Sequence, residues 1–153
     1  MKFGPQPPFI LLAEDDDNDA FGIHLAFQKA GIADKVRRVS DGEQTIDYLG
    51  GIGKYADRNQ FPLPSVLLID WDLPGKSGAQ ILEWVRAHPT WRHLVTVVLT
   101  GSLRPHDMRR AYELGANSYL AKPCSFVDFV RTLELLGGYW QLNHVPQPSS
   151  QIG

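Results

Sequence analysis

The chain reads as an α/β protein, a doubly wound five-stranded parallel sheet flanked by five helices. Three observations carry that reading. Short aliphatic or β-branched runs alternate with segments of helical periodicity along the chain. The runs Phe9 to Ala13, Val66 to Asp70 and Val95 to Thr100 are almost continuously apolar, as strands covered by helices on both faces must be. Helix start and stop signals fill the intervals, and a strand-helix-strand alternation calls for right-handed crossovers.

The first strand, Phe9 to Ala13, runs into Glu14-Asp15-Asp16. Ala20, Ile23, Phe27 and Ala30 then repeat at three-four-three spacing, which predicts helix one, and Gly31 is its natural stop. Lys35 to Val39 is the second strand. Ser40 with Glu43, Ser77 with Gln80 and Ser125 with Asp128 each set a hydroxyl three residues before a side chain able to reach back to free amides. These pairs predict the starts of helices two, three and five. Val66 to Asp70, Val95 to Thr100 and Ser118 to Ala121 are the remaining strands. Pro105 suits the first turn of helix four, which Gly115 ends. The segment Gly50 to Ser65, rich in Gly, Pro and polar residues, is long for a connection in a compact unit and reads as functional, mobile or inserted. In helix five, Phe126, Val130 and Leu133 are expected to face the core. That leaves Val127, Leu135, Tyr139 and Trp140 to cover a partner, a second copy or the protein's own neighbouring parts.

A length of 153 residues suits one domain, with a core over 9 to 140 and a frayed tail over 141 to 153. Fifteen Lys and Arg against seventeen Asp and Glu give a net charge of −2, so no electrostatic case for nucleic-acid binding exists. The amino-terminal stretch lacks the apolar centre of a signal peptide, and no run approaches the roughly 18 apolar residues of a membrane span. A cytoplasmic protein is expected. Cys124, alone, can form no internal disulfide and has no partner at metal spacing; a buried or half-buried thiol is expected. His24, His88, His93, His106 and His144 are scattered without ligand spacing and receive no chemical role.

In an open doubly wound sheet the ligand crevice lies beyond the carboxyl ends of the strands. Asp70 closes the run Val66-Leu67-Leu68-Ile69 and is followed at once by Trp71-Asp72-Leu73-Pro74-Gly75. Glu14, Asp15 and Asp16 follow the first strand, Thr100 ends the fourth and Lys122 follows the fifth, so the predicted fold gathers them on one rim. Crowded carboxylates raise one another's pKa unless a cation sits among them. Mg²⁺ is the expected cation, since it takes oxygen ligands and needs only one or two carboxylates besides a phosphate. Asp70 is then placed to attack a phosphoryl group, Thr100 to donate a hydrogen bond to it and Lys122 to offset its charge, with Gly101 leaving room. Singly, Asp16 and Asp17 read as helix caps, Thr100 as packing and Lys122 as a surface lysine. Their convergence gives them weight.

These residues resemble the receiver domains of two-component response regulators over roughly residues 9 to 140. The resemblance lies in Leu11-Leu12-Ala13-Glu14-Asp15-Asp16, in Leu68 through Gly78, in Val98-Leu99-Thr100-Gly101-Ser102 and in Gly115 through Pro123. It implies a flavodoxin-like strand order 2-1-3-4-5, and a phosphorelay role rather than enzymatic turnover. Asp70 would accept a phosphoryl group from a sensor histidine kinase. Mg²⁺ would be bound by the Asp15 and Asp70 carboxylates and the Asp72 backbone carbonyl, with Glu14 holding a metal-bound water. Thr100 and Lys122 would contact the phosphoryl group, and Thr100 with Tyr119 would switch the surface of helix four, strand five and helix five, where a homodimer or partner would bind. With no effector segment in the chain, output is expected by contact. Asp47-Tyr48-Leu49, Gly53-Lys54-Tyr55, Ala111-Tyr112-Glu113-Leu114 and Tyr139-Trp140 further resemble the stand-alone regulators that work with bacterial phytochromes. Ala13, Asp72 and Ser102 depart from common family choices, and the last two bear on how long a phosphorylated state would last.

Other readings compete. Asp70-Trp71-Asp72 resembles the acid pair of haloacid dehalogenase-like phosphatases, where the pair follows the first strand of the core instead. A pseudo-receiver, keeping the fold without phosphorylation, is the second alternative. Asp15, Asp17 and Asp19 imitate the opening of an EF-hand loop, but Ala20 and Ala26 stand where Gly and Glu are required. Gly53-Lys54 lacks the upstream Gly of a phosphate loop.

Overall fold

A computed structural model describes residues 8–142 of the chain. Its five strands are β1 (Ile10–Ala13), β2 (Val36–Val39), β3 (Val66–Ile69), β4 (Val95–Thr100) and β5 (Ser118–Ala121). They form one parallel sheet in the order β2-β1-β3-β4-β5. The helices are α1 (Asp17–Lys29), α2 (Gly42–Gly50), α3 (Gly78–Ala87), α4 (Pro105–Glu113) and α5 (Phe126–Leu142). No helix among the described residues is long and apolar enough to cross a membrane.

Because side chains alternate along a strand, the sheet divides the core in two. Leu11, Ala13, Leu67, Ile69 and Val98 face α2, α3 and α4. Ile10, Leu12, Val66, Leu68, Val97 and Leu99 face α1 and α5. Continuous apolarity in β1, β3 and β4 thus reflects two covered faces, as the sequence predicts. Edge strands β2 and β5 bury less.

Caps place the helices. Ser77 and Gln80 complete the expected reciprocal capping box of α3. At α2 the cap is Asp41, one residue after the predicted Ser40; its carboxylate accepts from the Gln44 amide, while the Gln44 side chain accepts from the Ser40 amide. A carboxylate at that position is the stronger partner for the positive helix end. Gly31, Gly51 and Gly115 each take positive φ immediately after a helix, and the next residue's amide reaches back to Phe27, Asp47 or Ala111.

Two expectations need correction, on α5 and on Cys124, and the reading of one segment is narrowed. The segment from Gly50 to Ser65 is ordered: Tyr55 packs on Tyr48 and Phe61, and Arg58 donates to the Tyr48 and Leu49 carbonyls at the end of α2. Trp140 is buried, packing on Phe27, whereas Phe126 is 48% exposed and stacks on Phe21 of α1. Helix five is therefore rotated relative to the expected face, because Gly22 and Gly137 let α1 approach closely; a Cβ on Gly137 would lie 2.9 Å from Ala30 Cβ. Cys124 is exposed in the turn before α5, contrary to the expected burial. Helix α5 continues through Leu142, so the frayed tail predicted from residue 141 does not begin there; its remainder from 143 onward, with His144, lies outside the described residues.

Candidate functional site

Successive strand ends are stitched together at the carboxyl rim. The Asp70 amide donates to the Ala13 carbonyl, the Glu14 amide to Val39 and the Lys122 amide to Thr100. These bonds continue the sheet register one step past its strands, so the residues that follow are held as rigidly as the sheet itself. Asp70 thus stands just beyond β3, 8% exposed, and its Oδ1 accepts from the Asp72 amide at 3.0 Å. The turn after it is locked from below. Gly42 donates to the Pro74 carbonyl, and a Cβ on Gly42 would lie 2.0 Å from the Lys76 carbonyl oxygen, so only glycine fits under this loop.

Lys122 Nζ reaches three carboxylates: Asp70 Oδ2 at 2.8 Å, Asp19 Oδ2 at 2.8 Å and Glu14 Oε2 at 3.0 Å. Burial alone pulls the ammonium's pKa down, but the three carboxylates outweigh it and raise the pKa above its ordinary value. Burial pushes Glu14 up to about 7 against the lowering influence of Lys122, with Asp70 adding repulsion. Glu14, Asp15 and Asp70 each offer a carboxylate oxygen, all within 4.8 Å of one another. The donor set is entirely carboxylate oxygen, with no nitrogen or sulfur, which suits a hard divalent cation.

Thr100 is fully buried, and its Oγ1 accepts from the Ser102 amide at 3.2 Å. The Tyr119 hydroxyl donates to the Ser102 carbonyl at 2.8 Å, and Ser102 Oγ donates to Asp107 Oδ2 at 2.7 Å. Asp107, in the first turn of α4, also pairs with Arg104 at 2.9 Å; the Ser102 hydroxyl, ahead of Arg104, holds its carboxyl below the usual value. Ser102 therefore ties Thr100, Tyr119 and α4 into one polar latch.

All the sequence-predicted residues Glu14, Asp15, Asp70, Asp72, Thr100 and Lys122 lie on this rim, with Tyr119 at its edge. Sequence reasoning missed Asp19 as a partner of Lys122 and Asp107 as the latch on α4. Asp19 stands in the first turn of α1, four residues after Asp15, and that nearness to the acid cluster was the available signal. Nothing local marks Asp107. The other tempting features fall away: His88 stacks on Trp84 and accepts from the Thr90 amide, a structural role. Asp70-Trp71-Asp72 follows β3 and not the first strand, unlike the phosphatase pattern.

A five-stranded α/β sheet with an acidic, lysine-bridged rim beside a buried threonine defines a phosphoryl-handling class of protein. The response regulator receiver domain model matches residues 10–134, and the chain belongs to that family. The probable methanogenesis regulatory protein FilR2 of Methanothrix harundinacea is 36% identical over 144 residues, spanning 94% of this chain and 90% of that protein. The solved structure of response regulator RPA3017 in red light signaling of R. palustris superposes with a TM-score of 0.83 at 36% identity, covering 92% of this chain and 99% of that one. The phosphorylated cyanobacterial phytochrome response regulator RcpA gives a TM-score of 0.83 at 27% identity, covering 90% and 97%. Phytochrome-associated response regulators of matching extent are thus among its relatives.

Proposed function

We propose that Asp70 is the phosphoacceptor of a phosphorelay. The Asp70 carboxylate oxygen attacks the phosphorus of a phosphohistidine on a sensor histidine kinase; the P–N bond breaks, the imidazole leaves with its electron pair and takes up a proton, and an acyl phosphate remains on Asp70. The observation that carries this reading is the Lys122 ammonium 2.8 Å from a rigidly held Asp70, with two further carboxylates at metal-sharing distance. Asp15, Asp70 and the Asp72 backbone carbonyl would hold Mg²⁺, with Glu14 acting through a water. When bound, the ion neutralises charge between carboxylate and phosphoryl oxygens. Lys122 and the Thr100 hydroxyl bind the phosphoryl oxygens and orient them, and when Thr100 turns toward them, the Ser102 amide loses its acceptor.

That loss is the origin of the switch. Ser102 shifts, the Tyr119 hydroxyl gives up its carbonyl, and the surface of α4, β5 and α5 rearranges to bind a partner or a second copy. Leu103, Met108 and Tyr112 stand exposed there. Named likeness to red-light and phytochrome regulators supports a bacterial phytochrome as the kinase. The chain as a whole, with its core over 9 to 140, acts as one receiver domain in the cytoplasm. Incubation with acetyl phosphate and Mg²⁺ followed by intact-mass analysis tests the chemistry. Wild type should gain one hydroxylamine-sensitive phosphoryl group and Asp70→Asn none; equal adducts on both would remove Asp70 from the role.

A further inference from the structure

We propose that Asp19 is a positioning residue that keeps Lys122 over the phosphoacceptor while the neighbouring carboxylates are engaged by a cation; the inference rests on the phosphoacceptor reading of Asp70. An ammonium has three N–H donors. Lys122 spends them on Glu14, Asp70 and Asp19. Two of these partners, Glu14 and Asp70, belong to the oxygen cluster that suits a divalent cation, and Asp19 does not. Once Glu14 and Asp70 share their charge with a cation, they hold the ammonium less strongly, and the cation repels it. Asp19 is the partner left to oppose that repulsion.

Its location fits the task. Asp19 lies in the first turn of α1, where its own amide donates to Asp16 Oδ1 at 2.8 Å, so its backbone is fixed by the helix cap. Its side chain is 35% exposed, against 1% for Glu14 and 10% for Asp70, so it stands at the mouth of the rim rather than inside it. Lys122, 12% exposed, leaves the loop after β5 and bridges to a helix 103 residues away in sequence. An acid in a first helical turn also complements the helix dipole, and that plainer role would affect stability alone. The Asp70 contact of Lys122 is the one a phosphoryl oxygen replaces, leaving Asp19 to hold the amine in place from outside.

The test uses beryllofluoride as the phosphoryl mimic, titrated in the presence of Mg²⁺ and followed by tryptophan fluorescence, since Trp71 adjoins Asp70. Asp19→Ala should weaken beryllofluoride uptake about tenfold, the scale of one charge-assisted hydrogen bond, while leaving Mg²⁺ affinity alone unchanged. Asp19→Glu, which restores the charge, should recover most of the loss. A second readout is the rate at which the Lys122 amine is acetylated by acetic anhydride, measured by peptide mass spectrometry. In Mg²⁺ that rate should rise in Asp19→Ala and stay low in wild type. Unchanged or tighter beryllofluoride binding by Asp19→Ala, an equal loss of Mg²⁺ affinity, or unchanged labelling overturns the inference. Wild type that takes up no beryllofluoride overturns the phosphoacceptor reading first, so the two failures are told apart.

Discussion

The α1–α5 layer and helix α4 of the opposite layer are attached to the sheet by different means. Helices α1 and α5 are pressed together through Gly22 and Gly137, with Phe27, Phe129, Leu133 and Trp140 buried between them and the sheet. Helix α4, on the opposite face, buries only Ala111 and the carboxylate of Asp107. It is held by polar ties: Ser102 and Arg104 to Asp107, the Tyr112 hydroxyl accepting from the Tyr119 amide, and Arg110 to Glu83. Apolar packing is close-fitting and resists displacement, whereas hydrogen bonds near the surface exchange with water at small net cost. The difference teaches where motion is cheap: the helix that the proposed switch would move is the one fastened by exchangeable contacts.

Truncating Trp140 should test the rigid side hardest. Trp140→Ala is expected to lower unfolding free energy by about 3–5 kcal/mol, measured by denaturant titration, while the surviving folded protein still gains a phosphoryl group on Asp70. Loss of phosphorylation at temperatures where the variant is folded would show that the two layers are not independent. Asp107→Ala should do the reverse. Removing the latch is expected to cost only about 1 kcal/mol of stability, yet to tighten beryllofluoride binding, because the resting arrangement of the loop after β4 loses a support. Beryllofluoride binding equal to wild type would detach α4 from the switch.

The smallest expected effect belongs to Tyr48, whose hydroxyl donates to the Pro62 carbonyl. Burial raises this phenol to about 12. A raised folded-state pKa contributes stability that is complete below the ordinary value of about 10 and is lost as pH climbs toward 12. Tyr48→Phe should therefore be less stable than wild type by about 1 kcal/mol at neutral pH, with the gap closing in alkali. A gap that stays constant to pH 12, followed by thermal melts, would contradict the buried assignment.

Much of the architecture was legible because its determinants are local. Apolar runs marked β1, β3 and β4, the Ser77 and Gln80 pair marked α3, and strand-end acids marked the rim. What stayed hidden depends on packing between distant segments. Trp140 reads equally as a partner-facing residue or as packing on a neighbouring helix, and it is Gly22 and Gly137, drawing α5 against α1, that decide for the second. Arg86 looks like any helix-end cation, yet it donates to the Gly115, Arg92 and Leu94 carbonyls, closing two loops at once. The bond between Lys122 and Asp19 spans most of the chain, and no spacing rule reaches that far.

The rim sets three carboxylates, Glu14, Asp19 and Asp70, on one ammonium, with a fourth, Asp15, grouped with Glu14 and Asp70. Such a surplus repels a doubly negative donor unless a cation offsets it, and no hydrogen bond links the Glu14, Asp15 and Asp70 cluster directly to the latch on Ser102 among the described residues. On the proposed phosphoacceptor reading, the pocket would act as a coincidence detector, answering when both inputs arrive together, with its threshold written in the number of acids gathered beside a single lysine.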